Sequence, residues 1–163
     1  MDMLDRLLGH DAWTTGLLLQ RCRELTPEQL TQSFDIGHGG VLVTLEHMVG
    51  NVEVWTDLMA GTIGEEHDSQ RDMESLIRRH KAGYARFAAL AREIRDADKV
   101  NDRWTDVLDQ PPTEKTYGGA ILHVITHNMH HRGEILHMLA RLGLKNLPEG
   151  DLLGWERQQS ITD

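Results

Sequence analysis

Four stretches of this chain repeat apolar residues at helical spacing, and no other feature constrains the fold as much. From Asp2 to about Leu25, the residues Leu4, Leu7, Leu8, Trp13, Leu17, Leu18 and Cys22 recur near a 3.6-residue period. A second stretch, from about Gly40 to Met59, carries Leu42, Leu45, Met48, Val49, Val52, Trp55 and Leu58, and Gly61 is placed to end it. A third, capped by Asp68 or Ser69 and running to about Arg95, has a stripe of Met73, Leu76, Ile77, Tyr84, Phe87, Ala88, Ala91 and Ile94 opposite a charged face. A fourth starts near Gly118 or Gly119, runs to Leu142 and is stopped by Gly143. Four long helices with little strand predict an all-α four-helix bundle. Residues 1–163 read as a single domain, a length that suits one core.

The segments between these helices are irregular. Thr26-Pro27-Glu28 reads as a stop followed by a newly capped turn, and Ser33 to Gly40 as a glycine-rich loop. Asp109-Gln110-Pro111-Pro112 is a turn signal. With Trp104–Leu108 before it and Lys115–Tyr117 after it, a short β-ribbon is expected between the third and fourth helices. The tail from Leu144 is expected to pack across the bundle through Leu152, Leu153 and Trp155.

Charge excludes some functions. With 26 Asp+Glu against 17 Lys+Arg and a formal charge of -9, the chain lacks the basic surface that phosphate backbones require, and no nucleic-acid partner is expected. Arg78, Arg79, Lys81 and Arg86 read as a solvated helix face. No apolar run is long enough for a membrane span, and no secretory signal is visible at the N-terminus. The single cysteine, Cys22, cannot form an internal disulfide and reads as a small core residue. These features together suit a cytoplasmic location.

Histidine is the exceptional residue. There are ten, and five lie between positions 123 and 137. His127 and His131, four apart on a helix, lie on one face and can share a metal ion. One helical face does not supply full coordination, so a further ligand is needed. His47, in the middle of the second long helix, is the natural candidate. Spacing alone leaves a choice open, because His123 and His127 are also four apart. Other metal patterns are incomplete: Asn128 stands where a His-Glu-x-x-His protease helix needs glutamate, and the di-iron pattern of one Glu-x-x-His on each of two helices is missing.

Three segments resemble the DinB family of bacterial damage-inducible and related proteins: His10-Asp11-Ala12-Trp13 with Leu17-Leu18-Leu19; Leu42-Val43-Thr44-Leu45-Glu46-His47 with Trp55; and Leu122-His123-Val124-Ile125-Thr126-His127-Asn128-Met129-His130-His131-Arg132-Gly133-Glu134-Ile135-Leu136. The resemblance spans roughly residues 1–155 and implies the DinB/YfiT-like four-helix bundle. Carried over residue by residue, it implies metal ligation by His47, His127 and His131. His123 and His130 are left as residues that pack beside or support the ligands. Where many relatives have glutamine, this chain has Glu134, which can orient a ligand imidazole or pair with Arg132 or Arg141.

Three imidazoles on one divalent ion, zinc or nickel by ligand type, leave a position open, as catalytic sites do. The resemblance implies transfer of a low-molecular-weight bacterial thiol to a small-molecule electrophile in detoxification or stress response. The alternatives are hydrolysis by metal-activated water and a non-enzymatic, metal-stabilised binding role. Glu134, Asp11 and Glu53 are the candidate bases, and relatives imply a homodimer.

Overall fold

The computed structural model describes residues 1–64, 68 and 70–162, and the side chains of 160–162 are not among those described. It contains α1 (Met3–Cys22), α2 (Pro27–Thr31), α3 (Val41–Ala60), α4 (Met73–Asp96), β1 (Arg103–Asp106), β2 (Thr113–Thr116), α5 (Tyr117–Arg141) and α6 (Leu152–Thr162). The four long helices expected from periodicity are α1, α3, α4 and α5. Two shorter helices, α2 and α6, accompany them.

Local chemistry sets the helix ends. Asp2 caps α1 in a reciprocal box with Asp5, and Thr26 does the same for α2 with Gln29 behind a proline at its start. Gly61 ends α3 in the left-handed conformation at φ +72°, where a side chain would be strained. The N-cap of α4 is Asp72, whose side chain accepts from the Ser75 N–H, rather than Asp68. Asp68 instead accepts from the Ser75 hydroxyl at 2.8 Å; Ser69, the other expected cap, lies outside the described residues.

Packing is a ring rather than a sequential meander. α1 packs on α4 and α5, and α3 packs on the same two helices, so α1 and α3 face each other across the bundle. The core has two halves. One centres on Leu8, Val52, Phe87, Ile121 and Val124, and the other on Leu18, Leu45, Leu76, Ile135 and Met138. The expected ribbon forms: β1 and β2 pair antiparallel with Arg103 opposite Thr116 and Asp106 opposite Thr113. It places Trp104 edge-on to Trp55 of α3, ring centroids 6.1 Å apart.

Three expectations are corrected. The tail is helical, and Trp155 alone among its expected anchors is buried; Leu153 is 63% exposed, because α6 meets α1 along one narrow line at Gly9. Arg79 is no solvated charge: it reaches across to α3 and forks onto the buried Glu53 carboxylate at 2.6 and 3.0 Å. Trp13 and Trp55 are half-buried, so neither is a full core residue. Cys22 does lie in the core, and burial pushes its thiol up to about 12, which leaves it inert as a nucleophile. No described helix is long and apolar enough to cross a membrane.

Candidate metal centre

The fourth long helix has two working faces. His127, His131 and Glu134 follow one another at spacings of four and three along α5, on the side that packs against α3. His47 sits midway along α3, held in phase by the buried Thr44, Leu45, Met48 and Val49. The two helices bring three rings together. The Nε2 atoms of His47 and His127 are 2.8 Å apart, and those of His131 and His127 are 3.1 Å apart. The rings meet edge to face, with centroids 4.4 Å apart for His127 and His131 and 4.8 Å apart for His47 and His131.

Glu134 fixes the tautomer of His131. Its Oε2 lies 2.7 Å from His131 Nδ1, and an ionised carboxylate only accepts, so Nδ1 carries the proton and donates. A neutral His131 then turns a bare Nε2 lone pair toward His47 and His127. Carboxylates commonly orient metal-binding imidazoles in this way. His127 Nε2 touches both neighbours and has one proton or one lone pair to offer, so it can satisfy only one of them as a hydrogen-bond partner. A cation between three lone pairs resolves that conflict. Tetrahedral zinc at about 2.0–2.1 Å from each nitrogen holds ligand atoms about 3.3 Å apart, so the two contacts of His127 need to open by only a few tenths of an ångström.

Charge is arranged to the same end. Burial first, then the neighbouring imidazoles, push His47 and His127 down to about 4. Both are therefore neutral, with lone pairs available, throughout the physiological range.

The other expected residues are also placed. His130 is exposed, and its Nε2 lies 3.1 Å from the second oxygen of Glu134, so one carboxylate spans two histidines. His123 stacks on His127 at 5.2 Å and also approaches Trp55 at 5.0 Å, forming a wall beside the cluster. Glu134 pairs with neither arginine suggested for it: Arg132 binds Asp11 and Arg141 binds Asp35. Of the candidate bases, Asp11 and Glu53 are both consumed by buried ion pairs away from the cluster. Glu134 alone touches the histidines. His10 of α1 bonds elsewhere, its Nε2 2.7 Å from the Gly150 carbonyl.

One residue escapes a reading of the sequence alone. His38, in the loop between α2 and α3, lies over the cluster, its ring 4.0 Å from His47 and 5.1 Å from His131. His38, His47 and His131 each offer a ligand nitrogen, all within 4.8 Å of one another, a group able to hold a metal ion. The available signal was a histidine isolated among glycines, Gly37-His38-Gly39-Gly40, nine residues before His47. A loop has no period, so nothing in the sequence aimed that side chain at the site.

A bundle of four long helices whose facing side chains gather imidazoles at one place defines a helical-bundle protein with a histidine-rich cluster that could hold a metal ion. The DinB family model matches residues 1–158 of this chain, and the chain belongs to the DinB family. A search of curated proteins returns no match.

Proposed function

We propose that the protein holds one divalent ion, zinc or nickel, through His47, His127 and His131, and that it is an enzyme transferring a low-molecular-weight thiol to a small electrophile. The observation that supports this most directly is the convergence of three Nε2 atoms from two helices, with one imidazole preset by Glu134. The all-nitrogen donor set suits borderline ions and disfavours calcium or magnesium. An ion bound there supplies acidity, so that a thiol or water at the open position is deprotonated near neutral pH.

The chain's own groups do the rest. His131 is held in one tautomer, and His47 and His127 stay unprotonated. The thiol proton leaves to bulk water, while Glu134, bonded to His131 and to the exposed His130, keeps the His131 ring oriented. Sulfur then forms the new bond to the electrophilic carbon, whose leaving group departs with its electron pair. Trp55 and His123 offer a flat wall for an organic substrate.

A metal-dependent hydrolase is the second reading. It is favoured by the same open position on a three-imidazole ion, where water could bind and lose a proton as readily as a thiol.

Metal content by mass spectrometry on the wild type and on His47→Ala, His127→Ala and His131→Ala tests the ligand set. A single ion per wild-type chain, lost in each variant, is expected; retention in the variants removes the proposal. Zinc- and nickel-loaded protein is then assayed with several thiols against an electrophile panel, and with esters and amides. Turnover that requires thiol selects the transferase, and thiol-independent cleavage selects the hydrolase. Turnover in neither assay leaves a metal-stabilised binding protein.

A further inference from the structure

We infer that His38 is a displaceable fourth ligand, closing the coordination sphere in the resting protein and leaving it when substrate arrives. The inference rests on the metal site proposed above. Its geometry is specific. The His38 ring lies closer to His47 than any other ring of the cluster does, and its ligand nitrogen is within 4.8 Å of those of both His47 and His131. To stand about 3.3 Å from the His47 and His131 nitrogens, a tetrahedral separation, it must approach each by about 1.5 Å at most. Side-chain rotation and a small loop shift cover that distance.

The loop is built to present this residue. Its base is tied down: Phe34 is buried, the Phe34 N–H donates to the Gly39 carbonyl at 2.9 Å, and the Gly39 N–H donates to the Ile36 carbonyl at 2.9 Å. Its tip is seated on the site itself. Gly37 has φ +53°, and a Cβ there would fall 2.2 Å from the Glu134 carboxylate oxygen that holds His131. Only glycine both adopts that backbone and lets the chain approach so closely. The residue after it is thereby delivered to the open side of the three-histidine cluster.

His38 differs from the other three in how firmly it is held. His47, His127 and His131 stand on packed helices, and His131 is further bonded by Glu134. His38 stands on a loop and is exposed, and among the described residues none hydrogen-bonds to its imidazole. A ligand without such support is the one a competing thiolate removes, because the supporting hydrogen bonds that raise affinity are absent. Its departure exposes the position at which a substrate binds.

Full-length protein loaded with cobalt(II), whose visible spectrum reports coordination, tests this with His38→Ala and His38→Gln beside the wild type and His127→Ala. Both His38 variants are expected to keep a single ion but to bind it about tenfold or more weakly, with an altered resting spectrum. On titration with 2-mercaptoethanol they are expected to saturate at lower thiol than the wild type, and all three saturated spectra should coincide. Identical spectra, affinity and thiol titration in wild type and both variants would overturn the assignment. Saturated spectra that differ would show that His38 stays bound, which overturns its displaceability. Wild-type cobalt binding by His127→Ala would instead sink the underlying site.

Discussion

Replacing Arg132 with methionine should destabilise the bundle far more than loss of a surface charge would. Asp11 of α1 is fully buried, and the Arg132 side chain is 9% exposed. The Asp11 carboxylate receives a guanidinium N–H from Arg132, the Tyr84 hydroxyl at 2.5 Å and the Asn128 Nδ2 at 2.9 Å, so groups from α4 and α5 converge on one residue of α1. Burial and the Asp11 charge hold the Tyr84 hydroxyl well above its ordinary range, so it remains a donor. Arg132→Met keeps much of the side-chain volume but strands a carboxylate in the core, for which about 3–5 kcal/mol is the usual cost. At about 2–4 °C per kcal/mol in a chain of this size, that predicts a Tm lower by about 6–20 °C. Adding Asp11→Asn removes the stranded charge while leaving an oxygen for Tyr84 and Asn128 to donate to. The double variant should therefore recover much of the loss, with a coupling of about 2 kcal/mol. Urea unfolding of the metal-free proteins measures all four corners of the cycle. A loss below about 1 kcal/mol for Arg132→Met, the size of an exposed pair, or a double variant as unstable as the sum of the two single variants, would refute the reasoning.

Glu134→Gln, which removes the acceptor that fixes His131, should weaken metal binding by about 10–100-fold in a chelator competition; an unchanged affinity would mean that the carboxylate does not set the tautomer. Acid should destabilise the metal-free protein in a defined window. His47 and His127 sit at about 4 when folded against 6.5 ordinarily, and burial lowers His80 too. The unfolded chain therefore takes up protons that the folded chain refuses, so stability is constant above about pH 6.5 and falls between about 6.5 and 4. Asp5, held down to about 2 by the Arg92 hydrogen bond, adds a loss only below about 3.8. Urea midpoints that stay flat from pH 7 to 4.5 would contradict the histidine assignment. Gly9→Ala puts a Cβ within 2.4 Å of the Trp155 ring and should cost about 1–3 kcal/mol by displacing α6, read as faster proteolysis after Gly143. Wild-type protease resistance would show that α6 does not depend on that contact.

The parts of the fold that sequence made legible are those with a period. α1, α3, α4 and α5 each bury a stripe against two neighbours, so the hydrophobic repeat and the packing carry the same information. The hairpin was legible from its Pro-Pro turn. α6 was not, because Trp155 supplies most of its burial and a single large residue has no repeat. Asp72 displaced Asp68 as the cap of α4 because capping depends on where the chain enters the helix, which acidic spacing does not reveal. The i,i+4 histidines were visible, and the family resemblance chose among them. The partners of Asp11 stand 73 to 121 positions away in sequence, and His38 is aimed by a loop; neither distance nor aim leaves a local mark.

The buried charge network and the histidine cluster belong to the same turn of α5. Successive residues of a helix point about 100° apart, so His127 and His131 face α3 while Asn128 and Arg132, one step around, face α1. A side-chain tip lies about 6 Å from the helix axis, so rotating α5 by about 20° would move the imidazole nitrogens by about 2 Å. Metal ligands tolerate about a tenth of that error. Apolar packing resists such a rotation only gradually, since one aliphatic contact replaces another. The Asp11 carboxylate resists it sharply, because any rotation parts Arg132 and Asn128 from the charge they compensate. The network therefore does more than offset its own desolvation: it fixes the phase of α5, and with it the convergence of His127 and His131 on His47, although among the described residues no hydrogen bond joins it to the site.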